Sequence, residues 1–417
     1  MSAPGGAARQ ADDLPDVAFA ATVAGLVSMT PQRLQRLLRG RAAAEVFLDL
    51  SAPRSRLVSR LMRAEQTPGH GGVRTAQIVD AWRRAALAAD PCLVWERLAA
   101  SGTTVHRRGT PGYPARLVDD RAAPEVVFVR GAIDQLDGPC VAVVGTRSAT
   151  YYGSNVAAEL GADLSDAGVV VVSGLAAGID AAAHEGALAP ENPTPPVAVV
   201  GGGVDVVYPA SSSRLWSRLE TGGGILSEAA PGTPPEAWRF PLRNRLVAAL
   251  AHVVVVVESH KGGGALHTVT AADERGVTVL AVPGSVRSPA SEGTNALIAD
   301  GCGVARDAAD VLAAVELACA GGWSSARSSA RSSARRASAG TAPGGGPRLE
   351  TSVTARLSPA EHSALEALED VAIPFELVCE RSGLDLAATA VALERLATLG
   401  LAARSGSGWE RRSAGRR

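Results

Sequence analysis

The chain has 417 residues and a formal net charge of −1, and 46% of its residues are hydrophobic although only 4% are aromatic. This length predicts two or three domains with enough material for buried cores, and the composition excludes a chain that is disordered throughout. Total charge gives no general attraction to nucleic acid, so any binding of phosphates requires a local cluster of basic groups.

The cysteines and the apolar runs indicate in which cellular compartment the protein is expected. Five scattered cysteines without a C-x-x-C pair argue against a disulfide framework and a zinc module. Asp12 and Asp13 stand where a signal peptide would turn apolar, and the longest aliphatic run, "VVVVV" at 253–257, is too short to span a bilayer. We therefore expect a reduced, cytoplasmic protein with no metal, no cofactor and no membrane insertion.

The amino-terminal part has the pattern of helices. After a segment expected to be disordered, residues 1–13, apolar positions recur at helical spacing over 14–100, and Pro31 follows Thr30 at a predicted helix start. We predict a small helical (SAM/HhH-like) domain here. The arginines of "PQRLQRLLRGR" form either a solvated helix surface or a binding face.

Short Val-rich runs dominate the predicted central domain, residues 101–319. Several of the runs, such as "VAVVG", "VVVVSG" and "VVVVVE", lack polar alternation, which is typical of strands buried on both faces. The pattern predicts an α/β fold, a Rossmann-like, doubly wound and mostly parallel sheet covered by helices. Most runs end in glycine or a small polar residue, so the following loops lie at the carboxyl edge where such folds bind ligands.

Two further segments complete the chain. Residues 320–356, with "SSARSSARSSAR" and "TAPGGGP", predict a disordered linker that acts as a spacer or as an electrostatic tether for nucleic acid. Residues 357–417 predict three helices and a hairpin, a winged helix, with starts at Ser358–Pro359 and Asp385 and an end at Gly383. The third helix has only Glu394 and Arg395 as charged residues, so contact with protein and contact with DNA both stay open.

The sequence contains no convincing catalytic set. Asp180 and His184 are four residues apart on a predicted helix and form either an acid–base pair or a structural hydrogen bond. Neither a G-x-S-x-G elbow nor a Walker A lysine motif occurs. We predict no catalytic residues.

Glycine-rich loops with basic residues follow the predicted strands. Backbone N–H groups at helix starts bind anions, although glycines also serve tight turns and helix packing. Several such sites along one sheet edge suit a polymer better than a single nucleotide. These loops contain Gly145 with Arg147, Ser173 with Gly174, Gly201–Gly203 and Lys261–Gly264, and "RFPLRNR" adds Arg239, Arg243, Asn244 and Arg245.

A family resemblance covers residues 108 to 313. The segments "VAVVGTRSATYYG", "VVVVSGLAAGIDAAAHEGAL", "VAVVGGGVDVVYP", "FPLRNRLVAAL" and "VVVVVESHKGGGALHT" resemble the DprA (Smf) family of bacterial natural transformation, in the family's order. The resemblance implies that the protein binds and protects single-stranded DNA and helps to load the RecA recombinase in the presence of a single-strand-binding protein. It also implies a homodimer and no chemical step.

The same resemblance implies which residues touch DNA. The arginine of the G-[ST]-R loop, here Arg147, would grip a phosphate where a dinucleotide fold has a glycine. The chain departs from the family where serines are replaced by Gly263 and Ala265, and where Ala210 replaces a lysine after "YP". The expected DNA-binding set is Arg147, Ser173, Gly174, Gly202, Arg214, Arg239, Arg243, Asn244, Arg245, Lys261, Gly263 and Gly264.

Two other functions stay open. A nucleotide phosphoribohydrolase of the LOG type has a similar fold, but "GGGALHTVTAADE" lacks its Gly-Thr pair and its glutamate. A protein adaptor acting through the winged helix is the other alternative.

The contribution of base stacking to DNA binding is expected to be minor, because the aromatic residues near the loops are few: Tyr151, Tyr152, Tyr208 and Trp238.

Overall fold

Nine strands form one sheet in the computed structural model, which describes residues 13–52, 72–319, 357–369, 373–399, 401–405 and 408–411. Most of the strands coincide with the Val-rich runs, since alternate side chains of each run pack into cores on opposite faces. In chain order they are β1 Thr104–Arg107, β2 Val126–Gly131, β3 Cys140–Val144, β4 Val170–Ser173, β5 Val197–Val199, β6 Gly224–Ser227, β7 Val253–Val256, β8 Thr278–Ala281 and β9 Gly303–Val304.

The order of the strands confirms the predicted α/β fold with a doubly wound, mostly parallel sheet. It is β1-β2-β6-β5-β4-β3-β7-β8-β9, and every pair from β6 to β9 is parallel. Strands β1 and β2 extend this parallel sheet at one edge and are antiparallel to their neighbours. The direction of winding reverses between β3 and β7, and the crevice at the carboxyl ends of these two strands is where open α/β sheets bind ligands.

Helices precede the sheet and cover it. The predicted start of a helix at Pro31 is confirmed, and the Thr30 hydroxyl caps it by accepting the N–H of Arg33 at 3.3 Å. Through residue 318 the helices are α1 Asp16–Ala24, α2 Pro31–Leu38, α3 Ala43–Ser51, α4 Gly72–Ala88, α5 Pro91–Ala100, α6 Ala115–Val118, α7 Tyr151–Asp166, α8 Ile179–Ala187, α9 Ser213–Gly222, α10 Arg239–Leu250, α11 Leu266–Asp273, α12 Glu292–Ala299 and α13 Ala308–Ala318.

Alternation along the central strand separates the two layers of helices. Ala142 and Val144 of β3 pack into the core that α10 and α11 share with the sheet. Val141 and Val143 point to the opposite face, into the core of α7, α8 and α13. The period of two in a strand thus explains why this run is apolar at every position.

The amino-terminal helices share one core with the sheet. Phe19, Leu37 and Trp82 from α1, α2 and α4 belong to the same buried cluster as Phe128 of β2 and Ile225 of β6. The predicted boundary at residue 100 stays a prediction, because the packing is continuous across this boundary. The division of the chain into domains also stays a prediction. Residues 1–12 and the segment 320–356, the predicted linker, lie outside the described residues.

The carboxyl-terminal elements are α14 Pro359–Ala367, β10 Ile373–Pro374, α15 Phe375–Ser382, α16 Leu386–Thr398, β11 Ala402–Ser405 and β12 Gly408–Arg411. The predicted caps are confirmed: Ser358 and Glu361 form a capping box, Gly383 has a φ of 66°, and Asp385 accepts the N–H of Ala388 at 2.7 Å. The three strands pair in the order β10-β12-β11. The winged-helix interpretation of this arrangement stays a prediction.

Among the described helices none has the length and apolar character needed to cross a membrane.

Replacing Gly186 by alanine will destabilise the sheet domain. A Cβ on Gly186 of α8 would lie 2.0 Å from the Ala158 carbonyl oxygen of α7, so the two helices must separate to admit it. We expect the free energy of unfolding to fall by about 1–3 kcal/mol, measured by urea unfolding followed by circular dichroism. Gly222→Ala in α9 is the control, because its Cβ would be 3.4 Å from the nearest atom. Equal stability of both variants would contradict the packing argument.

Candidate nucleic-acid interface

A cavity of about 660 Å³ opens at the carboxyl ends of β3 and β7, where the winding of the sheet reverses. Its walls include residues 144–147 at the end of β3, one face of α10, and, after β7, His260, residues 263–265, His267 and Thr268. Five residues of the predicted DNA-binding set line it together: Arg147, Arg243, Asn244, Gly263 and Gly264.

The loop that carries Arg147 is fixed by Glu258, the residue that follows the β7 run. Its main-chain oxygen accepts the N–H of Thr146 at 2.8 Å. Its buried carboxylate accepts the N–H of Thr150 at 2.9 Å and the Thr150 hydroxyl at 2.6 Å. Hydrogen bonds to both ends of the loop therefore hold Arg147 at the mouth of the cavity.

One face of α10 forms a wall of the cavity. Phe240, Arg243, Asn244 and Val247 line it, and their spacing of three and four residues puts them on the same side of the helix. Arg245 is rotated away from this face, which explains why only part of "RFPLRNR" reaches the cavity.

Arg147 is exposed and lies against an aromatic pair. Its guanidinium carbon is 5.1 Å from the centroid of the Phe240 ring, a cation–π geometry. The Phe240 ring in turn contacts the Tyr208 ring, with centroids 5.5 Å apart. Phe240 thus orients the guanidinium without neutralising its charge.

Arg243 is a buried cation on the cavity wall. Its side chain is 5% exposed, and Nη1 donates to the Val199 carbonyl at 2.9 Å. In the described part of the chain, Nε has no hydrogen-bond partner. Burial lowers the pKa of Arg243, and the carboxylate of Asp180 opposes this effect while the charge of Arg147 adds to it.

Gly174 is required by the position of Arg243. A Cβ on Gly174 would lie 1.5 Å from Nη1 of that arginine, so no larger residue fits beside it. The predicted glycine at this strand end therefore makes room for a guanidinium. Gly174 itself is outside the residues that line the cavity.

Asp180 and His184 have structural environments. One Asp180 oxygen accepts the N–H groups of Gly174 at 3.1 Å and Ala176 at 3.4 Å, which closes the turn after β4. Burial raises the pKa of Asp180. His184 is fully buried, and burial together with the charge of Arg243 lowers its pKa to about 3. The hydrogen-bond alternative agrees with the geometry of Asp180, whereas among the described residues no hydrogen bond joins Asp180 to His184.

The loop after β7 brings backbone and imidazole groups to the cavity. Gly263, Gly264, His260 and His267 line it, and the Asn244 side-chain amide donates to the Gly264 carbonyl at 3.4 Å. Lys261 is exposed beside His260 but does not line the cavity.

Two small residues of the predicted set have internal roles. Ser173 is fully buried and its hydroxyl donates to the Val143 carbonyl at 2.6 Å, so the expected contact of this side chain with DNA is not supported. Gly202 is also buried, and its carbonyl accepts the Ser227 hydroxyl at 2.6 Å. Both residues shape strand ends rather than line the cavity.

Three arginines of the predicted set also lie outside the cavity. Arg245 forms an ion pair with Glu228 at 2.5 Å, and burial raises the pKa of that glutamate while Arg245 opposes the rise. Arg239 donates to Glu236 at 3.1 Å and stacks on Trp238. Arg214 is exposed at the start of α9. Direct contact with DNA stays a prediction for Arg214, whereas the other two already pair with carboxylates of the same chain, the largely buried Glu228 and the exposed Glu236.

Sequence reasoning missed some of the residues that line the cavity. Phe240 is the most informative, since it stands three positions before Arg243 and four before Asn244, a helical spacing that was readable in the sequence. His260 and His267 had no such signal, because they belong to a loop and to the start of a short helix. Their positions depend on the fold of the 259–264 loop.

The fold and the cavity together define a Rossmann-like α/β protein with a crevice, lined by two arginines, at the reversal point of its sheet. The chain belongs to the family of DNA recombination-mediator protein A, whose model matches residues 104–316, about half of the chain. The resemblance to DprA (Smf) proteins is thereby confirmed.

Relatives are similar over about half of the chain. A putative DNA processing protein DprA of Mycobacterium tuberculosis is 45% identical over 192 residues, 46% of this chain and 49% of the relative. The DNA processing protein DprA of Streptococcus pneumoniae is 39% identical over 204 residues, 49% of this chain and 71% of the relative. The chain therefore spans about half the length of the first relative and more of the second.

A solved structure supports the fold. The X-ray structure of DNA processing protein A from Streptococcus pneumoniae superposes with a TM-score of 0.57 at 29% identity. The match covers 72% of this chain and 98% of that one.

Acid will destabilise the protein through two histidines, the fully buried His184 and the half-buried His252, whose pKa is lowered by burial and by the charge of Arg116. The pKa of His184 is lowered to about 3 and that of His252 to about 4, so the unfolded state binds protons first as the pH falls below about 6.5. Each histidine contributes stability that is present above its unfolded pKa. That contribution falls by about 1.4 kcal/mol per pH unit until the folded pKa is reached.

The measurement is urea unfolding of the wild type and of His184→Gln between pH 7.5 and pH 5. The wild type should lose stability more steeply than the variant, since the variant lacks one of the two depressed histidines. Parallel curves would contradict the assignment.

Proposed function

We propose that the protein binds single-stranded DNA through its phosphate backbone, protects it, and helps a RecA recombinase to load onto it. The observation that carries this proposal is the pair of guanidinium groups, Arg147 and Arg243, on one cavity. Within the described ranges neither forms an ion pair. A phosphate between them would supply the missing charge and the missing acceptors, and guanidinium–phosphate hydrogen bonds are among the strong ones.

A strand of nucleic acid fits the sheet edge better than one free phosphate. Lys261 is exposed on the loop after β7, and Arg214 is exposed at the start of α9, the helix that follows β5, so both lie at the same carboxyl edge as Arg147. Cations spaced along an edge match a chain of phosphates, and such contacts carry no sequence preference. Sequence-independent binding is what a protein acting on any incoming strand requires.

The partners follow from the family rather than from the cavity. Relatives are called DNA processing proteins, and the family name describes mediators of recombination. We extend to this chain the family's partners, a RecA recombinase and a single-strand-binding protein, and a homodimer in the cytoplasm. Protection and loading require binding alone, so we propose no chemical step. The only carboxylate among the described cavity residues, Asp180, is held by backbone N–H groups.

Arg147→Ala will weaken binding of every single-stranded sequence. The lost charge-assisted contact should lower the affinity roughly tenfold or more. It should also flatten the dependence of log K on log salt by about 0.7, the value for one phosphate. A labelled oligonucleotide titrated with the full-length protein over a salt series measures both quantities.

Arg218→Ala is the matched control for this charge. Arg218 is partly exposed on α9, pairs with Glu185 and lies outside the cavity. Its removal should leave the affinity and the slope unchanged. The same loss in both variants would show a general charge effect and would remove Arg147 from the DNA path.

The exposed face of α16 favours a second role, contact with protein. Ala387, Ala390 and Val391 are exposed at spacings of three and four residues, and Val391 is 71% exposed. This strip is apolar where a helix that enters a DNA groove has basic residues. We propose that it contacts a protein partner during loading.

Val391→Asp will separate this role from DNA binding. A carboxylate on the apolar strip should reduce RecA loading, measured as strand exchange on DNA covered by single-strand-binding protein. Affinity for single-stranded DNA should stay unchanged. Leu317→Asp, at an apolar position of α13 that is 85% exposed, controls for the added charge. Full loading by Val391→Asp would contradict the role of α16.

A further inference from the structure

Tyr208 is the aromatic side chain at the cavity whose surface the fold leaves open. It lines the cavity together with Arg147 and Phe240 and is 44% exposed. Its ring is tilted by 36° from that of Phe240, with centroids 5.5 Å apart. Phe240 therefore supports one side of Tyr208 and leaves a large part of its surface to solvent.

The other aromatic residues near the loops already have partners. The Tyr152 hydroxyl donates to the Pro283 carbonyl at 2.9 Å, and the residue is half-buried. The Arg239 guanidinium lies 4.3 Å from the centroid of the Trp238 ring, and the ring N–H donates to Glu236 at 3.1 Å; Trp238 is 42% exposed but lies outside the cavity. Phe240 lies under the Arg147 guanidinium. Each of these rings thus has a contact within the protein that accounts for its position, whereas the contact with Phe240 covers only one side of the Tyr208 ring at the cavity.

The cavity is larger than a phosphate needs. At about 660 Å³ it lies within the range of roughly 300–1,000 Å³ that is usual for sites that enclose an organic ligand. Its two guanidinium groups occupy one part of the wall, and the aromatic pair continues that wall through Phe240, which contacts both Arg147 and Tyr208. The site therefore combines a cationic subsite, suited to a phosphate, with an adjacent flat, apolar one.

We propose that Tyr208, supported by Phe240, stacks on a nucleobase while Arg147 and Arg243 hold a neighbouring phosphate. This inference rests on the proposed function and adds a second source of affinity to it. Every base has a π-face, so stacking on a tyrosine tolerates any sequence and agrees with sequence-independent binding. Contrary to the expectation from the sequence, stacking then contributes a substantial share of the affinity.

The two sources of affinity respond differently to salt. Phosphate contacts release counterions, and their strength falls as salt rises. Stacking releases none, so the loss of the Tyr208 ring lowers the affinity by the same factor at every salt concentration. A contact through phosphate alone predicts no such loss.

The experiment compares the full-length wild type with Tyr208→Leu and Tyr208→Phe, titrated with a labelled single-stranded oligonucleotide over a salt series. Leucine keeps apolar area but removes the π-face, and phenylalanine keeps the ring. Tyr208→Leu should bind about fivefold to a hundredfold more weakly, with an unchanged salt slope, and Tyr208→Phe should bind like the wild type. Melting temperatures of all three proteins check that each is folded.

An abasic oligonucleotide provides the matched ligand. It keeps the phosphates and removes the bases, so the wild type and Tyr208→Leu should bind it equally. Equal binding of the base-containing oligonucleotide by these two proteins would overturn this inference but leave the proposed function intact. A loss that is equal on the abasic ligand would also overturn it, because the effect would not depend on bases. If the wild type binds no single-stranded DNA, the proposed function and this inference both fail.

Discussion

Glu258 links the two strands between which the sheet reverses its winding. Its main chain and its buried carboxylate hold Thr146 and Thr150, at the two ends of the loop after β3. An unpaired carboxylate in this position would be costly, so the loop and the strand end stabilise each other. The exposed Arg147 gains a fixed position from hydrogen bonds that it does not make itself.

The cavity wall contains a buried positive charge, Arg243, beside a carboxylate that serves another purpose. Arg243 is buried against Gly174, and the nearby carboxylate of Asp180 is used to hold the turn that contains that glycine. The protein thereby tolerates a buried positive charge without cancelling it by an ion pair. Under the proposed function, a site built in this way favours anions, since a phosphate would meet a guanidinium that is already desolvated and oriented.

The sequence allowed much of the fold and part of the site to be predicted. Strands β2 to β8 have apolar runs, whereas β1 reads "TVHR" and β9 has two exposed residues, so neither carries a pattern that sets it apart. Arg147 was predictable from its place after a strand. The pairing of Arg245 with Glu228 was not, because the two meet only once β6 and α10 have taken their places in three dimensions. Phe240 was detectable by helical spacing alone.

The continuous core between the amino-terminal helices and the sheet has a consequence for the solubility of the protein. Phe19, Leu37 and Trp82 are buried against the same cluster as Phe128 and Ile225. A chain without these helices would expose a wide apolar surface on β2 and β6, which favours aggregation. The helices therefore serve as a cover for this face of the sheet, and their removal would lower the solubility of the protein as well as its stability.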